Sequence, residues 1–130
     1  MTDPIEMNTA DLTGEALNWS VAKALGLNAY LAEPHYMNPH RVMIRYTPDG
    51  CHFEQQKRFQ PSTDWAQGGP LLEKRKILTG WIGDQPIAFT RNHKYQDGVA
   101  VAPTPLIAIC RAIVASVLGD TVSVPKELLS

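Results

Sequence analysis

Hydrophobic and polar positions follow two rhythms along this chain, and the change from one to the other marks its elements. From about Gly14 to Leu25, the residues Leu17, Val21, Ala24 and Leu25 fall on one stripe at helical spacing, while Glu15, Asn18 and Lys23 face elsewhere. Thr13 stands where an N-cap is wanted and Gly26 where a left-handed C-terminal residue is wanted. Toward the other end Leu106, Ile109, Cys110, Ile113, Val114, Val117 and Leu118 recur at i, i+3, i+4 and i+7. Thr104 is the expected N-cap of this second helix, Pro105 occupies the first position, where a missing N–H is no loss, and Gly119 ends it. Burying each such apolar side chain stabilises by roughly 1.5–3 kcal/mol before entropy is counted, so this helix is expected to carry the core.

Between the helices the period falls to two. His40–Tyr46 reads as a strand with Val42, Ile44 and Tyr46 on one face and Met43 on the other. Thr47-Pro48-Asp49-Gly50 has the composition of a type I turn, proline second and glycine fourth. Leu71–Trp81 contains a second strand and Gln85–Thr90 a third, with Gly83-Asp84 as the turn of an antiparallel hairpin. Val122–Val124, stopped by Pro125, predicts a short strand at a sheet edge. Residues 28–40, 53–70 and 91–104 show little periodicity, read as long loops, and hold three of the four histidines, most tyrosines and Trp65. The pattern predicts an α+β fold, a small antiparallel sheet packed with two principal helices and long loops, in a single domain over residues 1–130.

Composition narrows the function classes. With 130 residues there is room for one core, and 44% hydrophobic against 19% charged residues excludes disorder for most of the chain. Twelve basic and 13 acidic side chains give a net charge of −1, which argues against an extended nucleic-acid interface. Basic groups nevertheless gather locally, at Arg91 and Lys94 and at Lys74-Arg75-Lys76, which leaves room for one small anionic ligand. The first residues lack the basic start and apolar run of a signal peptide, and the longest apolar stretch, Leu106–Leu118, is interrupted by Arg111. A cytoplasmic protein without membrane segments is expected, with Cys51 and Cys110 as free thiols. Asn18-Trp19-Ser20 matches a glycosylation acceptor, a match without meaning on a cytosolic helix.

The densest candidate chemistry lies in residues 61–70. Ser62, Thr63 and Asp64 can form turns that expose or cap backbone N–H groups. Trp65 offers a flat face for stacking on a planar ligand, Gln67 an amide that can read hydrogen-bonding edges, and Gly68-Gly69 a close backbone approach. Such a set suits a nucleotide-like ligand; the competing reading has Trp65 plugging the core while Ser62 and Asp64 brace a loop. No Lys-Ser/Thr follows the glycines, so this is not a phosphate-binding P-loop. Arg91, in the basic and aromatic run Arg91-Asn92-His93-Lys94-Tyr95, can contact phosphate or belong to a solvated loop. Arg111 can reach an anion, or can edge the exposed face of its helix beside Ala108, Ala112 and Ala115. His35, His40, Cys51, His52 and His93 lack recurrent ligand spacing, so no metal and no cofactor is expected. Ser62, Cys51, His93 and Asp64 form no recognisable elbow or triad, and Asp64 and Glu73 no carboxylate pair, so catalytic residues are not assigned.

Three segments together carry a family resemblance: Leu12-Thr13-Gly14 leading into Leu17, Trp19 and Val21-Ala22; the stretch Pro61–Pro70; and Pro103-Thr104-Pro105-Leu106 with Arg111-Ala112 and Val114-Ala115-Ser116. Gly119-Asp120 and Val124-Pro125 complete the pattern. In this order and spacing they resemble the bacteriophage NinX family of small phage and prophage proteins. Asn18 stands where relatives commonly have an acidic residue, so no role of that carboxylate carries over. The resemblance implies a phage accessory protein in the cytoplasm of a bacterial host, and no particular activity. The resulting expectation is a non-enzymatic protein that binds a small nucleotide-like ligand and can thereby sequester a host signalling nucleotide. A protein-interaction module acting on a host factor and a small hydrolase are the alternatives. A homodimer or higher homo-oligomer is expected from the strongly apolar closing helix.

Overall fold

A computed structural model of the chain describes residues 4–34, 40–91 and 97–129. Among them lie eight strands and three α-helices: β1 (Ile5–Asn8), α1 (Gly14–Ala24), β2 (Asn28–Ala32), β3 (Arg41–Tyr46), β4 (Gln55–Arg58), α2 (Trp65–Lys74), β5 (Leu78–Ile82), β6 (Gln85–Thr90), β7 (Gly98–Val101), α3 (Pro105–Leu118) and β8 (Thr121–Val124). The strands form three small antiparallel sheets, β1-β8, β2-β3-β4 and β5-β6-β7, so the fold is α+β. His35, His93, Lys94 and Tyr95 lie outside the described residues.

The helix α3 is the centre of the molecule. Thr104 caps it, its hydroxyl accepting from the Ile107 N–H at 3.2 Å, and Gly119 ends it with φ +93°. One flank packs against α1 and the other against the inner face of β6 and β7. Nine of its residues are buried, more than its apolar stripe alone predicts. The small side chains Ala108 and Ala112 explain the excess. They let the sheet come so close that a methyl group on Gly98 would collide with the Ala112 carbonyl and the Ser116 backbone nitrogen. Arg111 is therefore buried, contrary to its expected place on an exposed edge. Its Nε donates to the Leu12 carbonyl at 2.8 Å and its Nη1 to the Val101 carbonyl at 3.2 Å.

Helix α1 keeps its predicted span and its buried Leu17, Val21 and Ala24. Thr13 makes no capping hydrogen bond; Gly14, at φ +57°, sets the turn into the helix instead. Asn18 and Glu15 do not face solvent as their polarity suggests. Asn18 is buried, and Glu15 is half-buried beneath β3 and β4. The predicted turn after β3 is displaced by one residue, closing from the Cys51 N–H to the Pro48 carbonyl with Gly50 at φ +80° in its third position.

The hairpin β5-β6 forms as expected, Ile82 opposite Gln85, with Gly83 at φ +61° in the turn. The segments read as long loops contain β2, β4, β7 and the start of α2. The terminal strand β8 pairs with β1, which has too few residues for a readable pattern.

Candidate functional site

A groove of about 720 Å³ opens between the C-terminal end of α1, the inner face of β3-β4, and α2. Alternation along β3 aims Ile44 and Tyr46 into it, and the register that sets Lys57 opposite Ile44 puts that cation on the same face. Leu25, Leu27, Phe59 and Leu71 complete an apolar floor. Lys57, Lys74 and Arg75 supply positive charge, and among the described residues no carboxylate lines the groove. The Lys57 ammonium sits 4.8 Å from the centre of the Tyr46 ring, so aromatic face and cation stand together. Such a surface can hold a planar or apolar group against Tyr46 and the floor, and an anionic group at the rim.

The wall on the α2 side is built from the segment singled out in the sequence. Asp64 is the N-cap, its carboxylate accepting from the Ala66 N–H at 2.9 Å. Gln67 points back toward the chain that precedes the helix. Its Oε1 accepts from the Gln60 N–H at 2.7 Å and its Nε2 donates to the Arg58 carbonyl at 2.9 Å, which ties α2 to the end of β4. Gly68 is buried against the Pro61 carbonyl and Leu106, where any side chain would collide. Pro70 has no N–H to offer the Ala66 carbonyl one turn earlier, and both residues line the groove.

Ser62 is buried and belongs to a polar hub. Its hydroxyl donates to Asn18 Oδ1 at 2.7 Å, and its backbone N–H to the same oxygen at 3.2 Å. Asn18 Nδ2 donates to Glu15 Oε2 at 3.1 Å, and Glu15 Oε1 pairs with Arg58 at 2.6 Å. This chain of contacts fixes the turn before α2 to α1 and β4, and thereby the width of the groove.

The remaining expected site residues go to other places. Thr63 is exposed in the turn, and Gly69 lies beside the Trp65 ring on the outer side of α2. Trp65 is 56% exposed, so it neither plugs the core nor lines the groove. Arg91 is exposed at the end of β6, its Nε 3.7 Å from the Asp97 carboxylate. Arg111 borders two separate cavities on the far side of α3, one of them shared with Asp11 and Asp120. Its desolvation lowers the guanidinium pKa, with Asp11 acting in the opposite sense. Among the described residues, no three His, Cys, Asp or Glu side chains come together as metal ligands. Cys51 is exposed and Cys110 buried, both as free thiols, and burial pushes the Cys110 thiol up to about 12.

Tyr46 is legible in the sequence as sharing a strand face with Val42 and Ile44, and Lys74 and Arg75 as part of the basic cluster Lys74-Arg75-Lys76. Lys57 is not, because β4 is polar throughout and gives no alternation.

Fold and groove together define a small α+β domain with one basic-rimmed, apolar-floored surface. The family model for bacteriophage P22 NinX matches residues 8–117, and the chain belongs to that family. It is thus a phage accessory protein. No match to a curated protein is found. No helix among the described residues is long and apolar enough to cross a membrane.

Proposed function

We propose that the protein is a non-enzymatic binder of a small nucleotide-like anion, held in the groove between α2 and β3-β4. The observation that carries this reading is the pairing of an apolar floor and Tyr46 with Lys57, Lys74 and Arg75, in a groove that no carboxylate lines among the described residues. A volume of about 720 Å³ lies within the range of small-molecule sites. Tyr46 and the floor take the base, the three cations take the phosphate, and the Ala66 carbonyl, deprived of its helical donor by Pro70, accepts from an amino group. Ser62, Asp64, Gln67 and Gly68 serve the site by holding α2 in place, and Trp65, exposed on the outer side of α2, takes no part in it. Sequestration of a host signalling nucleotide fits a phage accessory protein with such a groove.

The test is a thermal-shift screen with nucleoside mono- and diphosphates and cyclic mono- and dinucleotides, followed by chromatography of the nucleotide after incubation. A hit raises the melting temperature, loses its effect in Lys74→Glu/Arg75→Glu and Tyr46→Ala, keeps it in Trp65→Ala, and is recovered unchanged. No shift across the panel would remove the proposal, and conversion of the nucleotide would make the protein an enzyme instead.

A further inference from the structure

The outer face of the β5-β6-β7 sheet is apolar and, among the described residues, no other element covers it; Ile87 and Phe89 at its centre are half-buried and the flanking apolar residues exposed. Register places directly opposed residues on one face, so Leu78, Phe89 and Val99 form one row and Ile87 and Val101 the next, beside Gly80. Ile82 lies at the hairpin end, opposite Gln85. The other face is buried toward α3 at Pro86, Ala88, Thr90 and Gly98, while Thr79 and Trp81 of the edge strand β5 are exposed on it. A sheet with one solvated face ordinarily alternates apolar-in and polar-out. Here the outward phase is apolar as well, as in strands covered on both sides. Leu78 is 70% exposed, Ile82 59% and Val99 56%.

We infer that this face packs against the same face of a second copy of the chain, across a two-fold axis. None of the outward positions carries a charge, so the surface does not repel itself when the same residues meet across the axis. Aliphatic and β-branched side chains on two such faces interdigitate as in a sheet sandwich. A three-stranded face bearing six large apolar side chains leaves on the order of 400–600 Å² uncovered, the upper end of what a monomer exposes. With its rim it approaches the roughly 800 Å² per partner of a stable interface. The surface belongs to a different sheet from the groove, so the dimer stands or falls independently of ligand binding.

Sedimentation velocity of the full chain over micromolar concentrations tests the inference. The wild-type chain sediments as a dimer. Leu78→Lys/Val99→Lys, altering only exposed positions on the two edge strands, weakens self-association about a hundredfold or more, because two charges per copy would be desolvated against an apolar face. Ile82→Lys, at the hairpin end, gives the same direction of change, and far-UV circular dichroism of both variants matches the wild type. A wild-type monomer at every concentration would leave the face to another protein and overturn the inference. So would a dimer that both variants leave intact.

Discussion

Asn18→Ala removes the contact that sets the position of α2, and with it the Nδ2 bond to the half-buried Glu15. The carboxamide oxygen of Asn18 receives both donors of Ser62, at 2.7 Å from the hydroxyl and 3.2 Å from the backbone nitrogen, in a buried setting. Truncation leaves the Ser62 N–H without an acceptor, and unlike the hydroxyl it cannot rotate to another. An orphaned buried donor costs about 1–3 kcal/mol and the lost hydroxyl bond about 1 more, so a loss of about 3 kcal/mol follows. In a domain of this size that lowers the melting temperature by about 10 °C. Ser62→Ala removes only the hydroxyl bond and costs about 1 kcal/mol, and the double variant costs less than the sum because the two act on the same contact. Asn18→Asp keeps the acceptor but sets a second carboxylate against Glu15, and falls between wild type and Asn18→Ala. Urea unfolding of the four variants and the wild type measures these differences. A loss below about 1 kcal/mol for Asn18→Ala, or strict additivity with Ser62→Ala, would refute the hub.

Gly68→Ala should destabilise by about 3 kcal/mol because the new methyl meets the Pro61 backbone, which cannot yield. The neighbouring Gly69→Ala meets only the Trp65 ring at ordinary contact distance and should gain about 0.5–1 kcal/mol, so chemical denaturation of the pair separates packing from propensity. A thiol reagent should label Cys51 at once in the native protein and Cys110 only after unfolding, as mass spectrometry of the adducts will show. Since the folded Cys110 thiol is raised from 9.0 to about 12, its contribution is intact below pH 9 and is lost as the unfolded thiol ionises above it. Relative to Cys110→Ala, the wild type should therefore lose about 1.4 kcal/mol per pH unit above pH 9; equal slopes in the two proteins would contradict the assignment.

The elements legible in the sequence are those whose local signals agree with their tertiary role. The Thr104-Pro105 start and Gly119 end define α3, Gly83-Asp84 defines the hairpin, and the alternation of Val42, Ile44 and Tyr46 defines β3. Helix α2 was hidden because Gly68, Gly69 and Pro70 all disfavour a helix interior. Tertiary contacts override them: the Asp64 cap, the Gln67 clamp on residues 58–60, and the need for no side chain where Gly68 meets Pro61. Strand β4, Gln-Gln-Lys-Arg, is exposed at every position and is held by pairing with β3, so hydrophobic periodicity is blind to it. The same blindness hid Lys57 and with it half of the groove. Asn18 and Arg111 were misplaced for one reason: polarity predicts solvent, whereas each is buried with hydrogen-bond partners supplied from distant segments, Ser62 for one and the Leu12 and Val101 carbonyls for the other.

The groove is tested most directly by a titration of the ¹⁵N-labelled chain with the nucleotide that gives the largest thermal shift, followed by ¹H–¹⁵N correlation spectra. Shifts concentrated at the amides of Tyr46, Lys57, Phe59, Ala66, Lys74 and Arg75, and absent in Lys74→Glu/Arg75→Glu, are the predicted result. Shifts centred instead on Arg91 or on the cavities beside Arg111, or a spectrum unchanged by the nucleotide, would contradict a ligand site between α2 and β3-β4.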